Sequence, residues 1–414
     1  MGGIIGVGIF FNPRAVAQSV PQPAAFLSMW AIGGLIAVNG ALTFAELGAT
    51  FPKAGGWYVF LREGFGPFVS FLFAWVVLCV ISTGAISVMA HVFVENLPGL
   101  PPGARFSTGA AAIVVVTGLA MLGAKAGATV QNVCMLVKLS AIAAMAVVGL
   151  LFAAPAAPAP IPAPEGGLAA GMLHALLPVL FACGGWQMLC YVAPQVRDPQ
   201  RTLPRAIVLG ILGVVLTYLA INAAYLRVLG LPEIIRNPGF AGEMARRTLG
   251  PTGGEILRGA IAVSALGVCI VTIVTTPWLY VAMSRERLFF ARFAEVHPRT
   301  GAPIAALVCQ AVFTLGYWTW GQAELLANSV VFVEWIFHAL VAIALLKLRA
   351  ARPDLPRPFR SPLYPLAPVL YALFATGLVA GTLAQANVRD TAIGLSVLAA
   401  GAIVYRPWRR LMSA

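Results

Sequence analysis

Apolar residues run along this chain in long blocks, without the alternation that marks a half-buried strand. The stretch from Ala206 to Leu226, AIVLGILGVVLTYLAINAAYL, is predominantly apolar on every face of a helix. It is as long as the about 20 residues a helix needs to cross a bilayer. Blocks of this kind predict twelve helical spans, at 1–20, 25–48, 67–95, 106–123, 128–153, 170–193, 205–229, 255–283, 303–320, 324–348, 362–384 and 389–406. A transmembrane barrel would alternate apolar and polar residues over about ten positions, and this pattern excludes one. The first block stands apart. Eleven residues precede Asn12-Pro13, and Arg14 follows at once, so only half a helix is present. Either the true start lies upstream or the chain lacks the first half of its first span.

Composition agrees with the pattern. Of the 414 residues 60% are hydrophobic and 10% charged, against about 25% charged in a soluble domain, and the mean hydropathy is +0.89. The net charge of +13 would point to nucleic acid in a soluble protein. Here the charges sit between apolar blocks, so they report orientation instead. With the first helix running outward, eighteen of the 27 Lys and Arg fall on inner segments and eight on outer ones, with Lys138 inside a span. Five of the outer eight lie in the long loop 227–258, and long loops weigh little in this rule. Both termini are therefore expected in the cytoplasm, in a cell (inner) membrane. The six cysteines form no CxxC pair and lie in or beside apolar runs, as inert buried thiols do. No cleavable signal peptide is visible. Residues 153–166, AAPAAPAPIPAPEG, should form a stiff external connector, and the 227–258 loop is long enough to carry a short helix as a lid.

Two glycine clusters interrupt otherwise helical blocks: Gly6-Val7-Gly8, followed by Ile9-Phe10, in the first, and Phe181-Ala182-Cys183-Gly184-Gly185-Trp186 in the sixth. Glycine lowers helix propensity by about 1 kcal/mol relative to Ala. The clusters stand where two inverted repeats, spans 1–5 and 6–10, would each open on a discontinuous helix. A broken helix leaves N–H groups unpaired at one half and C=O groups at the other. The first end attracts an anion and the second a cation. Two facing breaks therefore match a zwitterion, the α-amino and α-carboxyl groups of an amino acid. The bland alternative is that these glycines only permit close helix packing.

At these residues the chain resembles a known family. GGIIGVGIFFNP (2–13) is similar to the helix-one signature of amino-acid permeases of the amino acid–polyamine–organocation superfamily, usually written with G-S-G-I-F. GALTFAELGATFPKAGGWYVFLREGFGPFVSFLFAW (40–75) resembles the family's helix two, inner loop and start of helix three. FACGGWQMLCYVAPQVRDPQRTLPRAI (181–207) resembles helix six of the L-type amino-acid transporter branch. SRERLFFARFAEVHPRTGAPIAAL (284–307) and RPDLPRPFRSPLYPLAP (352–368) resemble the inner loops after helices eight and ten. The resemblance implies an all-α, LeuT-like fold: a first repeat over 1–154, an external connector over 155–169, a second repeat over 170–350 and two further helices over 351–414. It implies substrate held by the backbone of Ile5, Gly6, Val7, Gly8 and Ile9, and of Phe181, Ala182, Cys183, Gly184, Gly185 and Trp186. The aromatic ring of Phe181 would close over the substrate. Val7 stands where Ser is usual, a small change if the backbone does the binding. The absent half-helix is the segment that would move to open the inner gate.

Lys138 lies inside a span, where a charge is expensive and usually functional. The resemblance implies that it ties helix five to the helix-one break, in the role a sodium ion has in sodium-coupled relatives. It would then be a fixed cation in a sodium-independent exchanger or a titrating group in a proton symporter; a lysine snorkelling to the inner interface is the alternative. Tyr218 and Ser264 are expected in the same cluster. Glu334 and His338, four apart on helix ten, share a face. They read either as a pH-sensitive pair or as a satisfied polar pair, and the resemblance accounts for Glu334 but not for His338. Glu46 is expected to be structural, and His91 and His174 interfacial.

These residues lead to one expectation: a secondary active amino-acid transporter working by alternating access, sodium-independent, by exchange or proton coupling. Neutral substrates are expected because the breaks hold no carboxylate to pair a cationic side chain. The alternatives are a cationic amino-acid or polyamine antiporter, or a non-transporting amino-acid sensor of the same fold. No enzyme is expected, since the four His (91, 174, 297, 338) fall in different segments and no nucleophile converges with them. No cofactor, metal or nucleic acid is expected; the partners are the amino acid and the lipid bilayer, with any accessory subunit left open.

Overall fold

A computed structural model describes residues 3–157, 167–321, 323–385 and 388–413. Its regular elements are helical. The first half of the chain holds α1 (Gly8–Ser19), α2 (Pro23–Thr50), α3 (Trp57–Phe65), α4 (Pro67–Val76), α5 (Ser82–Asn96), α6 (Arg105–Met121) and α7 (Ala124–Leu151). The second holds α8 (Leu168–Cys183), α9 (Pro199–Val228), α10 (Gly230–Arg236), α11 (Phe240–Leu249), α12 (Gly253–Thr275), α13 (Pro277–Arg285), α14 (Ile304–Trp320) and α15 (Ala323–Ala351). Two more, α16 (Leu366–Gln385) and α17 (Val388–Ser413), follow. Among the described residues ten helices are long and apolar enough to cross a membrane, and α14 is a shorter apolar helix. With the half-helix α1 they occupy all twelve expected positions. The protein is a multi-pass membrane protein.

Local chemistry sets the boundaries. Pro23, Pro67, Pro199 and Pro277 open helices at the first turn, where the missing N–H is not needed. α4 and α5 form one span, Pro67–Asn96, joined by a π-helical turn over Val77–Ile81. There the Ser82 and Thr83 hydroxyls donate to the carbonyls of Val77 (2.9 Å) and Leu78 (2.8 Å). α3 begins after Gly56, whose φ is +43° and whose added Cβ would lie 2.8 Å from the Cys190 backbone, so glycine is required.

Four helices of the first half pack against their counterparts in the second: α1 on α8, α2 on α9, α5 on α12 and α6 on α14. This pairing is what a five-plus-five inverted repeat produces. The fold is LeuT-like, with α16 packed on α2 and α15, and α17 on α4 and α15. Most of the expected connector, residues 158–166, lies outside the described residues. Its first part is held by Ala156, whose N–H donates to the Arg227 carbonyl at 2.7 Å. The short helix expected in the 227–258 loop is present, as the pair α10 and α11. Arg14 of α1 donates to the Ile235 carbonyl of α10 at 3.0 Å, and Glu243 of α11 is clasped by Arg246 and Arg247. The hydrogen bond from Arg247 holds the Glu243 carboxyl below the usual carboxylate range.

At the expected inner end, Glu46 is fully buried and ties three segments together. It takes two hydrogen bonds from Arg349 (2.7 and 2.6 Å) and one from the Ser361 N–H (2.8 Å), with Arg357 at 3.6 Å. The guanidinium of Arg349 also stacks on Tyr364, 3.8 Å from the ring centre. Breaking a buried pair from one side costs about 3–5 kcal/mol. Glu46→Ala and Arg349→Ala should each lower the thermal midpoint in detergent, and the double variant should lose much less than the sum. Strict additivity in that cycle would show that the two groups do not act as a unit.

Candidate functional site

Residues 3–7 are not helical, and α1 begins at Gly8. α8 ends at Cys183; Gly184 and Gly185 break it, and a 3₁₀ helix, Trp186–Gln195, continues the span. Phe181, Ala182 and Cys183, read from the sequence as part of the break, form the last turn of α8, so the break itself is Gly184-Gly185. The two breaks touch. Gly185 has φ +107°, and a Cβ there would collide with the Gly3 carbonyl oxygen. A Cβ on Gly8 would lie 3.3 Å from Ala182 Cα.

The polarity of this crossing follows from helix geometry. α1 presents its N-terminal end, where the first N–H groups lack helical partners. α8 presents its C-terminal end, where the last carbonyls lack theirs. The donor end and the acceptor end therefore meet at one place. Val7 sits at the N-cap of α1 with no side-chain cap. A serine there could satisfy one of those donors; valine leaves them to other partners.

Three side chains brace the crossing. Lys138 of α7 has no exposed surface, and its Nζ donates to the Ile5 carbonyl. The snorkelling alternative is thereby removed. Tyr218 of α9 is buried, and its hydroxyl donates to the Ala182 carbonyl at 3.0 Å, with the Ile4 carbonyl at 3.5 Å. It thus spans both breaks, with its ring edge-on to Trp30 at 5.7 Å. Asn12 Nδ2 donates to the Pro178 carbonyl at 2.7 Å, a second bridge from α1 to α8. Ser264 of α12 is buried, and its hydroxyl finds no partner among the described residues. α7 and α12 run antiparallel in contact at Cys134 and Gly267, and Lys138 and Ser264 each lie one turn beyond that contact in the same direction.

The two aromatic residues at the helix-six break part company. Trp186 is buried against Phe44 (ring centres 5.0 Å apart), His338 and Tyr371. Phe181 is 42% exposed, on a stripe of α8 with Leu173 and Leu177. Glu334 reaches the break indirectly. It accepts a hydrogen bond from Gln187 Nε2 at 3.1 Å, and Gln187 Oε1 accepts the Gly185 N–H at 2.8 Å. Gln187 and Asn12 were missed by sequence reasoning. Each is a polar residue inside an apolar block, next to the Gly184-Gly185 pair and to Pro13 respectively, which was the available signal.

Known proteins are similar to this chain in sequence. A profile of the amino acid permease family matches residues 1–404. The chain belongs to the amino acid permease family. Within reach of this permease are the b(0,+)-type amino acid transporter 1 of Mus musculus, 31% identical over 90% of this chain and 79% of that protein, and the serine/threonine exchanger SteT of Bacillus subtilis, 30% identical over 98% and 93%. The large neutral amino acids transporter small subunit 2 of Homo sapiens is 30% identical over 98% and 77%. The permease is an amino-acid transporter by family.

Tyr218→Phe removes the hydroxyl that reaches both breaks and leaves a buried carbonyl without its donor, a loss of about 1–3 kcal/mol. Substrate affinity should fall about tenfold for 1.4 kcal/mol, with expression and oligomeric profile unchanged. Wild-type affinity in this variant would show that the hydroxyl does not shape the site.

Proposed function

We propose that this permease is a secondary active transporter that carries neutral amino acids without sodium, by alternating access. The observation that carries the reading is the crossing of the α1 N-terminal end with the α8 C-terminal end. A carboxylate is suited to the N–H groups of Gly8 and Ile9, and an ammonium to the carbonyls of the last turn of α8. Hydrogen bonds to charged groups contribute about 1.5–3 kcal/mol each. Recognition through backbone leaves the substrate side chain free to vary, and Val7 in place of a hydroxyl residue is then tolerated.

Lys138 supports sodium independence. Its ammonium occupies the Ile5 carbonyl from within the bundle, where a bound cation would otherwise be needed. Tyr218 belongs to the same brace, Ser264 lies buried beside it on α12, and Glu334 supports the helix-six break through Gln187. Alternating access then consists of α1, α2, α8 and α9 moving against the α5–α12 pair, with residues 1–154 and 170–350 as the two repeats. The charge pattern of the loops supports cytoplasmic termini in a cell membrane. A cationic amino-acid or polyamine antiporter is the second reading; it draws on the Glu334 carboxyl, one side chain away from the break.

The test is uptake of labelled leucine into proteoliposomes in sodium-free medium, with and without leucine preloaded inside. Uptake should not require sodium, and acceleration by preloading marks exchange. Lys138→Ala should cut uptake by tenfold or more, about 1.4 kcal/mol of transition-state or binding energy at least, while thermal unfolding stays near wild type. Sodium-dependent uptake, or wild-type rates in Lys138→Ala, would contradict the reading.

A further inference from the structure

Beyond the substrate crossing, a second polar chain runs through the apolar core. The Gly185 N–H donates to Gln187 Oε1 (2.8 Å), and Gln187 Nε2 donates to Glu334 Oε1 (3.1 Å). Glu334 Oε1 lies 3.8 Å from His338 Nε2, and His338 Nδ1 is 2.7 Å from the Tyr371 hydroxyl. The chain thus connects the helix-six break, α15 and α16. The His338 ring is enclosed by Phe44, Trp57, Trp186 and Trp335.

We propose that Glu334 and His338 form a proton-binding site linked to the helix-six break through Gln187. Among the described residues no Lys or Arg forms an ion pair with Glu334. From α16 it faces Tyr371, and from the 3₁₀ helix Gln187 and Tyr191. Glu46 of α2 is taken by Arg349 and Arg357. On α3, Arg62 and Tyr58 bind Glu286, and Glu63 binds Arg352. Lys347 of α15 lies over the Phe65 ring. α5 carries His91 and Glu95 in its C-terminal half, and α17 carries Arg406, Arg409 and Arg410 in its C-terminal third. An isolated carboxylate in such surroundings is costly, and a proton on it removes that cost, with the imidazole 3.8 Å away setting how readily it is taken up. The Glu334 side chain retains 22% exposure against 5% for His338, so it is the more accessible of the two. When the proton leaves, the negative carboxylate strengthens the hydrogen bond from Gln187, and through its polarised amide the bond from Gly185. Protonation thereby loosens the helix-six break. A protonated Glu334 is also neutral, which favours the neutral-substrate reading over the cationic one.

The link to transport rests on the function proposed above, but the proton site does not. Its test is infrared difference spectroscopy of the purified full chain in lipid across a pH titration, without substrate. A protonated-carboxyl C=O band should grow as pH falls, vanish in Glu334→Gln and shift its midpoint by about one pH unit in His338→Gln. A Glu334→Gln spectrum that keeps every titrating carboxyl band, or a His338→Gln midpoint equal to wild type, would overturn the site. In proteoliposomes, Gln187→Ala should flatten the pH dependence of leucine uptake, and an unchanged profile would overturn the link. If the wild type moves no leucine while the band behaves as stated, the transport reading fails and the proton site stands.

Discussion

A side chain on Gly185 would strike the carbonyl oxygen of Gly3, and one on Gly8 would crowd Ala182. That close approach of two backbones is the constraint on which the rest of the molecule depends. Helices in lipid gain little from hydrophobic burial against one another, so association rests on packing and hydrogen bonds. Here packing at glycine brings one helix's unpaired donors to another's unpaired acceptors. Irregular backbone at membrane depth persists only where protein encloses it, and the surrounding helices supply that enclosure. Lys138 holds the Ile5 carbonyl, Tyr218 spans Ile4 and Ala182, and Gln187 takes the Gly185 N–H. Each of these side chains satisfies a backbone group that a continuous helix would have paired internally. The same arrangement of donor and acceptor ends fits a zwitterion.

A second layer of interactions keeps the crossing in register with the expected inner surface. Glu46 joins α2 to the end of α15, and Glu286 joins α13 to α3. These ion pairs lie on segments packed around the site, so a rigid frame surrounds the two discontinuous helices. The opposite, expected outer, end differs. There α1 packs on α10 and is tied to it by a hydrogen bond from Arg14 to the Ile235 carbonyl.

Much of this was legible in the sequence. Long apolar blocks placed the spans, and the glycine clusters placed both breaks to within a few residues, because glycine is where helix propensity and close approach act together. Lys138 and Glu46 stood out as charges in apolar surroundings. The exact end of α8 was not legible, since Phe181 to Cys183 have ordinary helical chemistry and the break needs only Gly184-Gly185. The 3₁₀ continuation, the π-helical turn after Val76 and the exposure of Phe181 depend on neighbours distant in the chain. So does the role of Gln187: nothing near position 187 announces that Glu334, 147 residues on, will meet it. In an apolar helix every face reads alike, and periodicity cannot say which face meets which partner.

The central claim is that two opposed helix ends recognise both charges of an amino acid. The most direct measurement compares binding of leucine with binding of two analogues, its amide, which lacks the carboxylate, and its deaminated acid, which lacks the ammonium, by calorimetry on the purified protein. The account predicts that leucine binds and that each analogue loses at least about tenfold in affinity, the equivalent of one hydrogen bond to a charged group. Equal binding of either analogue would show that one helix end takes no part in recognition, and would contradict the account.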